Sequence, residues 1–145
     1  MTQPQLETLG ERMAKEILKA IPRYRPKLSV AICIDPDSGL PEQGCVTTTK
    51  IGPSHFLADV DMKFSSKVLA MHEVAHAIRA IRPECAMKWY RSQPLVRRRK
   101  VRFMAACDMR KFGLKEFLKY YPTIQERKEE FIVDGIAHLW LYEQK

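Results

Sequence analysis

The amino-acid sequence predicts an α+β fold, in which one helix and a few short strands precede a series of helices. Apolar residues recur at helical spacing near the N-terminus, alternate as in strands in the next part of the chain, and recur at helical spacing in the second half. The chain has 145 residues, 46% of them hydrophobic, which suits one domain with one core. We therefore expect a single α+β domain over 1–145 with a small antiparallel or mixed sheet.

The first half of the chain is predicted to contain one helix and three extended segments. Pro4 suits the first turn of a helix, and Pro22 ends the apolar series that follows it. Leu28, Val30 and Ile32 alternate with smaller residues, which is typical of a strand. The predicted elements are a helix over 4–21, a strand over 27–34, a loop over 35–41 and two extended segments over 45–51 and 55–62.

The second half is predicted to be mostly helical. Ser65 or Ser66 can cap a helix whose middle, 68–78, is apolar on nearly all sides and is therefore expected to be buried. Thr123 and Glu126 form the capping-box pattern that opens another helix. The predicted elements are a helix ending near Ile81, a loop over 89–94, helices over 95–111 and 114–121 separated by Gly113, and a last helix to about 142.

The composition excludes several classes of protein. No run of about 18 apolar residues is available to span a membrane, and the first residues are too polar for a secretory signal, so we expect a cytoplasmic protein with no membrane partner. The cysteines are spread singly, without a C-x-x-C pair, which favours reduced structural thiols over a disulfide framework. They are Cys33, Cys45, Cys85 and Cys107.

The positive charge is concentrated in one segment. The whole chain has a formal net charge of +8, but residues 77–128, called the basic segment below, hold 15 Lys and Arg against four acids and so carry +11. Such a concentration indicates an acidic partner, either a polypeptide or a nucleic acid, although a solvated helix face has the same composition. The residues expected to contact nucleic acid are Arg97, Arg98, Arg99, Lys100 and Arg102.

The predicted buried helix contains the motif His72-Glu73-Val-Ala-His76. Residues four apart on a helix lie on one face, so both imidazoles can reach one metal ion, while Glu73 is rotated by about 100° and can address a metal-bound water. An unpaired carboxylate is rarely buried, yet Glu73 interrupts an apolar run, so something must compensate it. The alternative is that His72 and His76 are core histidines bonded to backbone, with Glu73 at a helix edge.

A catalytic zinc ion usually has three protein ligands, and the last helix offers the third. Glu130 and Asp134 are four residues apart, so one carboxylate can bind the metal while the other accepts the remaining N–H of a ligand histidine. We expect Glu130 to be the ligand and Asp134 the outer partner, against the alternative of an exposed Glu130 in a charged first turn. His138 is the main rival third ligand and Asp134 is another, whereas Glu129 is expected to be solvated.

The pairing of His72-Glu73-x-x-His76 with Glu130-x-x-x-Asp134 on a separate helix resembles the gluzincin zinc metallopeptidases. The helix that carries the second pair is similar to the third-ligand helix of the anthrax lethal factor catalytic domain and its relatives. The resemblance covers these two helices. It implies a zincin-like domain with zinc on His72, His76 and Glu130, with Glu73 as general base, and with Asp134 orienting a histidine.

The resemblance also implies a mechanism of peptide hydrolysis. Zinc would lower the pKa of its bound water toward about 7 and polarise the scissile carbonyl, and Glu73 would carry the proton to the leaving amine. A further donor should stabilise the oxyanion, and Tyr120 and Tyr121 are the nearest candidates, with Tyr121 assigned; an aromatic core or a helix-end lid is the alternative for both. Such folds pair extended substrate with the strand before the metal helix, which here is 56–62.

Two other functions fit the sequence. The basic segment, with Val101 and Phe103 among its arginines, suits a nucleic-acid-associated protein whose zinc is structural, or a protease whose target is bound to nucleic acid. Against this, the sequence contains no zinc-finger, homeodomain or RNA-recognition signature. The third function is that of a non-catalytic protein that inhibits a partner by binding it.

Overall fold

Helices and strands follow one another in the order that the sequence predicts. The structure, a computed structural model, describes residues 1–23, 25–40 and 43–144. Its elements are α1 (Gln3–Leu18), β1 (Lys27–Ile34), β2 (Gly44–Gly52), β3 (His55–Met62), α2 (Lys67–Ile81), α3 (Pro83–Ser92), α4 (Leu95–Phe112), α5 (Leu114–Tyr120) and α6 (Ile124–Glu143). The six helices and three-stranded mixed sheet within these ranges confirm the α+β class. None of the helices described combines the length and the apolar character that a membrane span requires.

The sheet has the strand order β1-β3-β2, with β1 parallel and β2 antiparallel to the central β3. Successive side chains of a strand point to opposite faces, and here one face is buried and the other faces solvent. On the buried face Val30 lies opposite Ala58 and Ile32 opposite Val60. α1 and α2 cover this face, and α6 packs on the far side of α2.

The two outer strands of the sheet differ in how their edges are covered. Glu7 and Glu11 of α1 accept hydrogen bonds from two backbone N–H groups of β1, at 2.8 and 3.0 Å, so α1 covers that edge. β3 is bonded on both sides, so the expectation that 56–62 pairs with substrate is wrong. Among the described residues, the outer edge of β2 pairs with no further strand, and β2 begins at Gly44 beside α2.

Small differences from prediction in the first half lie at the turns. α1 ends at Leu18 rather than near residue 21, because the N–H of Ala20 bonds the carbonyl of Ile17, three residues back, and so tightens the last turn. β1 and β3 have the predicted bounds, and β2 is one residue longer at each end. The predicted loop over 35–41 is free of helix and strand over 35–40, and residue 41 lies outside the described residues.

α3 is the element that the sequence prediction missed. The loop expected over 89–94 is wrong for 89–92, which form the last turn of this helix. Proline suits a first helical turn as well as a helix end, so Pro83 both follows α2 and begins α3. Cys85, Ala86 and Trp89 have the spacing of one helical face and are buried. The remaining loop between α3 and α4 is two residues long.

α2 is held in place by contacts with the sheet, α1 and α6. Ser66 is its N-cap, as predicted, and its hydroxyl accepts the N–H of Leu69 at 3.2 Å. Gly10 lets α1 approach closely, since a Cβ at that position would lie 3.0 Å from Val74 Cγ2. The motif residues of α2 therefore lie on a helix whose position is fixed by the core.

The four cysteines are free thiols. Cys85 is buried, its Sγ lies 3.9 Å from the carbonyl oxygen of Leu18, and burial raises the pKa of its thiol. Cys33 is exposed on β1, so the prediction of a structural thiol is wrong at that position. Cys45 and Cys107 are half-buried.

Candidate metal centre

The candidate site lies between α2 and α6. His72, Glu73 and Glu130 are buried, with 8%, 6% and 8% of their surfaces exposed, and His76 is half-buried. Thr123 caps α6, as predicted, and its hydroxyl accepts the N–H of Glu126, but Glu126 Oε1 accepts from that hydroxyl rather than from the Thr123 N–H that a capping box would use. Ionisable side chains at an apolar contact between helices are costly unless they are paired. The histidines here face carboxylates rather than backbone groups.

One carboxylate faces both histidines of the motif. Glu130 Oε2 lies 2.7 Å from His72 Nε2, and Glu130 Oε1 lies 2.8 Å from His76 Nε2. The two ring centroids are 5.0 Å apart, as expected for residues four apart on one helix face. One ligand atom from each of the three residues lies within 4.8 Å of the others.

These residues fit a zinc ion. Zinc bonds to nitrogen and oxygen are about 2.0–2.2 Å long, and tetrahedral geometry then requires ligand atoms about 3.3–3.6 Å apart. The contacts of 2.7 and 2.8 Å need to lengthen by less than about 1 Å to meet this requirement. Two imidazoles and one glutamate are also a donor set of catalytic zinc sites, in which a fourth position is left for water or substrate.

Asp134 orients one of the two histidines. Its Oδ1 accepts a hydrogen bond from His72 Nδ1 at 2.8 Å. His72 Nδ1 therefore carries a proton, and Nε2 is the nitrogen that can bind a metal. Outer partners of this kind fix the ring orientation and make the ligand nitrogen more basic. The sequence predicted a histidine partner for Asp134 but did not specify which histidine it would be.

The charges of this group perturb one another. Burial alone would lower the pKa of His72, but hydrogen bonds to Asp134 and Glu130 outweigh burial and raise that pKa to about 10. Burial alone would raise the pKa of Glu130, but hydrogen bonds from His72 and His76 lower it to about 2. In Asp134, the neighbouring His138 and His72 likewise outweigh burial and hold the pKa below its usual range. A metal at this site must therefore displace a proton from His72.

Glu129 fastens α6 to α2 beside this site. Its two carboxylate oxygens accept hydrogen bonds from the Arg79 guanidinium, with distances of 2.8 to 3.0 Å. The side chains of Arg79 and Glu129 are 16% and 35% exposed. The prediction of a solvated Glu129 is wrong because Arg79, three residues after His76, reaches it across the helix contact.

His138 is in a different group from the two histidines of α2. Its Nε2 lies 2.6 Å from Asp108 Oδ2 and 3.5 Å from Asp134 Oδ2. Burial and the neighbouring Asp134 raise the pKa of Asp108, and in His138 the two nearby carboxylates outweigh burial and raise the pKa. Sequence reasoning missed Asp108, because one acid within the basic segment has no informative spacing to the other site residues.

The group around Glu130 and the group around His138 open into one cleft with a volume of about 650 Å³. α2 and α6 form one side of it, the α2–α6 wall, and α4 and α5 form the other, the α4–α5 wall. Glu73 lines the cleft near His72, and Tyr121 lines it from the end of α5, with its ring packed against Phe117. Tyr120 does not line the cleft, and its ring packs against Phe112. The apolar lining comprises Phe64, Val68, Leu69, Phe103, Met104, Met109, Phe112 and Phe117.

The basic residues predicted to contact nucleic acid divide into two sets on α4. Arg97, Arg98 and Lys100 lie over tyrosine rings of α6 and α3, with 5.1 to 6.0 Å between the cationic atom and the ring centroid. Arg99 and Arg102 are exposed. Arg97 and Arg98 are half-buried and contribute to packing within the fold, whereas Lys100, although it lies over a ring, is exposed like Arg99 and Arg102.

No protein-family model, no curated protein and no solved structure matches the chain. The resemblance to gluzincins therefore depends on the HExxH motif and the carboxylates of the last helix.

Proposed function

We propose that the protein is a zincin-like, zinc-dependent peptidase of the gluzincin type, with His72, His76 and Glu130 as metal ligands. The observation that carries this proposal is the Glu130 carboxylate, which lies 2.7 and 2.8 Å from the Nε2 atoms of both histidines at the surface of a cleft. A charge cluster that only stabilises the fold needs no opening to solvent, whereas a catalytic metal needs one for its substrate.

The residues around this centre have separate roles. When bound, zinc supplies a Lewis acid that polarises a carbonyl and lowers the pKa of water. Glu73 is buried beside His72 and lines the cleft, so it can take a proton from the attacking water and transfer it to the leaving nitrogen. Asp134 holds His72 in the tautomer whose Nε2 faces Glu130. Tyr121, half-buried in the same cleft, is the donor that we assign to the developing oxyanion.

The surroundings of the cleft favour an extended polypeptide as the substrate. Gln43 and Gly44, where β2 begins, line the cleft. A peptide that adds to the edge of β2 would run past the opening, because backbone hydrogen bonds align an added strand with the edge. The apolar lining suits bulky apolar side chains, and Lys111 at the α4–α5 wall favours acidic ones.

Replacing Glu73 by Gln tests the proposed activity. Loss of the general base should slow hydrolysis of an unstructured protein such as casein by about 100- to 10,000-fold, while the zinc ligands and zinc binding remain. The measurement is the initial rate at saturating zinc, together with metal content. Glu116→Gln, the same change on an exposed residue of α5, is the control and should leave the rate unchanged.

An equal rate in wild type and Glu73→Gln would contradict the peptidase. The same variant separates the enzyme from a non-catalytic inhibitor. An inhibitor that acts by binding would retain its effect on its partner in Glu73→Gln, whereas the effect of a peptidase would be lost.

A second candidate function is nucleic-acid binding by α4. Arg99, Arg102 and Phe103 have the spacing of one helix face, and Phe103 is 69% exposed. Two guanidinium groups beside an exposed ring suit phosphate contacts and base stacking. The protease and nucleic-acid interpretations are compatible if the substrate is a protein bound to nucleic acid.

Retention on heparin and on single-stranded DNA, as a function of salt, tests this second function. Changing Arg99 and Arg102 to Glu should lower the salt concentration at which the protein elutes. Changing Lys15 of α1 and Lys19, the residue after α1, to Glu alters the net charge equally and should have a smaller effect. Elution of wild type at low salt, or equal shifts in the two double variants, would contradict nucleic-acid binding by α4.

A further inference from the structure

Asp108, Asp134 and His138 form a second cluster in the cleft, contributed by α4 and α6. Asp134 and His138 are 4% and 9% exposed, and the side chain of Asp108 is 34% exposed. One ligand atom from each residue lies within 4.8 Å of the others, as in the first cluster. All three residues line the cleft, so solvent reaches the cluster.

Asp134 Oδ2 is a buried atom that the protein contacts do not satisfy. Oδ1 accepts the hydrogen bond from His72, whereas Oδ2 has no hydrogen-bond partner in the part of the chain that the structure describes. It faces His138 Nε2 at 3.5 Å, while that nitrogen is bonded to Asp108 at 2.6 Å. Buried carboxylate oxygens without a partner are costly and require an explanation.

A single proton on His138 does not satisfy this cluster. His138 Nε2 carries one N–H at most, and donating it to Asp108 leaves the Asp134 oxygen unpaired. A divalent cation among the three atoms would contact both carboxylates and the unprotonated nitrogen at once. It would also neutralise two negative charges that lie close together.

We propose that Asp108, Asp134 and His138 bind a second divalent cation, separate from the one assigned to the HExxH motif. Two carboxylates and one imidazole suit ions that accept mixed oxygen and nitrogen ligands, which are Zn²⁺, Mn²⁺, Fe²⁺ and Co²⁺. Ca²⁺ requires six to eight oxygen ligands, and Cu⁺ prefers sulfur. The open side of the cluster faces the cleft, where water or a substrate oxygen can complete the coordination.

The two sites meet at one carboxylate but share no ligand atom. Oδ1 of Asp134 contacts His72, while Oδ2 faces the second cluster. His76 and Glu130 belong to the first site alone, and Asp108 and His138 belong to the second alone. Each site can therefore be removed by substitution while the other keeps its ligands, and the second site does not depend on peptide hydrolysis.

Metal stoichiometry tests the second site on the full chain. Metal-free protein is brought to equilibrium by dialysis against excess Zn²⁺, and in parallel against Mn²⁺, and bound metal is counted by elemental analysis. Wild type should bind two ions per chain. Asp108→Asn, a near-isosteric change on a half-exposed residue, should bind one, and so should His138→Ala. His76→Ala is the control, which should lose the first ion and keep the second.

One ion in wild type that persists in Asp108→Asn and is lost in His76→Ala would overturn the second site and leave the peptidase proposal standing. One ion that is lost in Asp108→Asn and persists in His76→Ala would support the second site and contradict the first. Two ions in Asp108→Asn would also overturn the second site. Circular dichroism checks the fold of each variant, and if His138→Ala unfolds, Asp108→Asn decides.

Discussion

The α2–α6 wall of the cleft and the exposed face of α4 use ionisable side chains in opposite ways. On the α2–α6 wall, His72, Glu130 and Asp134 are buried, and each contacts two ionisable partners. On α4, outside the cleft lining, Arg99 and Arg102 are exposed. Buried charges are costly and are kept where something compensates them, whereas exposed charges cost little. Burial therefore distinguishes the wall where chemistry is expected more clearly than the number of charges does.

The positive net charge of the chain comes from the helices outside the α2–α6 wall. The +11 of the basic segment lies on α3, α4, α5 and their neighbours, while the motif helices contribute isolated acids and histidines to an apolar core. Under the proposed function, the α2–α6 wall performs hydrolysis, and the α4–α5 wall contacts the polypeptide or the nucleic acid associated with it.

The largest expected effect is on zinc affinity. It compares alanine variants of two neighbouring glutamates of the α2–α6 wall, Glu130 and Glu129. Glu130→Ala removes the group that faces both histidines, so zinc affinity should fall by more than the ~10–100-fold typical for loss of an outer partner. Competition with a fluorescent chelator measures the affinity. Glu129→Ala, one residue away, removes the pair with Arg79 and should cost about 1–2 kcal/mol of stability while zinc affinity changes little. Similar losses of zinc affinity in both variants would contradict the assignment of Glu130.

Metal-free protein should be most stable between about pH 4.5 and 6.5. His72 has a pKa of about 10 when folded and an ordinary value of 6.5, so its contribution is complete below pH 6.5 and is lost as the pH rises toward 10. Glu130 has a pKa of about 2 against 4.5, so its contribution is complete above pH 4.5 and is lost as the pH falls toward 2. The free energy of unfolding, measured with urea, should fall by roughly 3–5 kcal/mol on each side.

Zinc should remove the alkaline part of this profile, because the metal displaces the proton of His72. A metal-free profile that is flat from pH 6.5 to 10 would show that the charges of the α2–α6 wall are less strongly coupled than their contacts imply.

The smallest expected effects are on the stability of the fold. They compare one glycine from each wall, and replacing the two glycines by alanine should change the stability in opposite directions. A Cβ at Gly135 of α6 would meet Tyr90 Cε2 at 3.9 Å, an ordinary contact, so Gly135→Ala should stabilise the fold by about 0.5–1 kcal/mol through helix propensity. Gly113, between α4 and α5, has a φ of +99°, so Gly113→Ala should destabilise by about 1–2 kcal/mol. Thermal unfolding measures both changes. If both variants were more stable than wild type, or both less stable, the backbone conformation described at one of the two positions would be contradicted.

The sequence predicted most elements because their signals are local. Ser66 and Thr123 cap the two motif helices as expected, since capping depends on residues within one turn. α3 was missed because Pro83 suits both the end of one helix and the start of the next. The role assigned to β3 was wrong because strand order in a sheet depends on pairing between distant segments, which alternation does not specify.

By itself, the sequence determined which residues share a helix face. It paired His72 with His76 and Glu130 with Asp134, because the helical repeat is a property of consecutive residues. Only the tertiary structure decided which faces meet. The contacts of His72 with Glu130 and Asp134 join residues 58 and 62 positions apart, and Asp108 enters the cleft from a third helix. Those distances follow from how the whole core packs around α2, which no local pattern encodes.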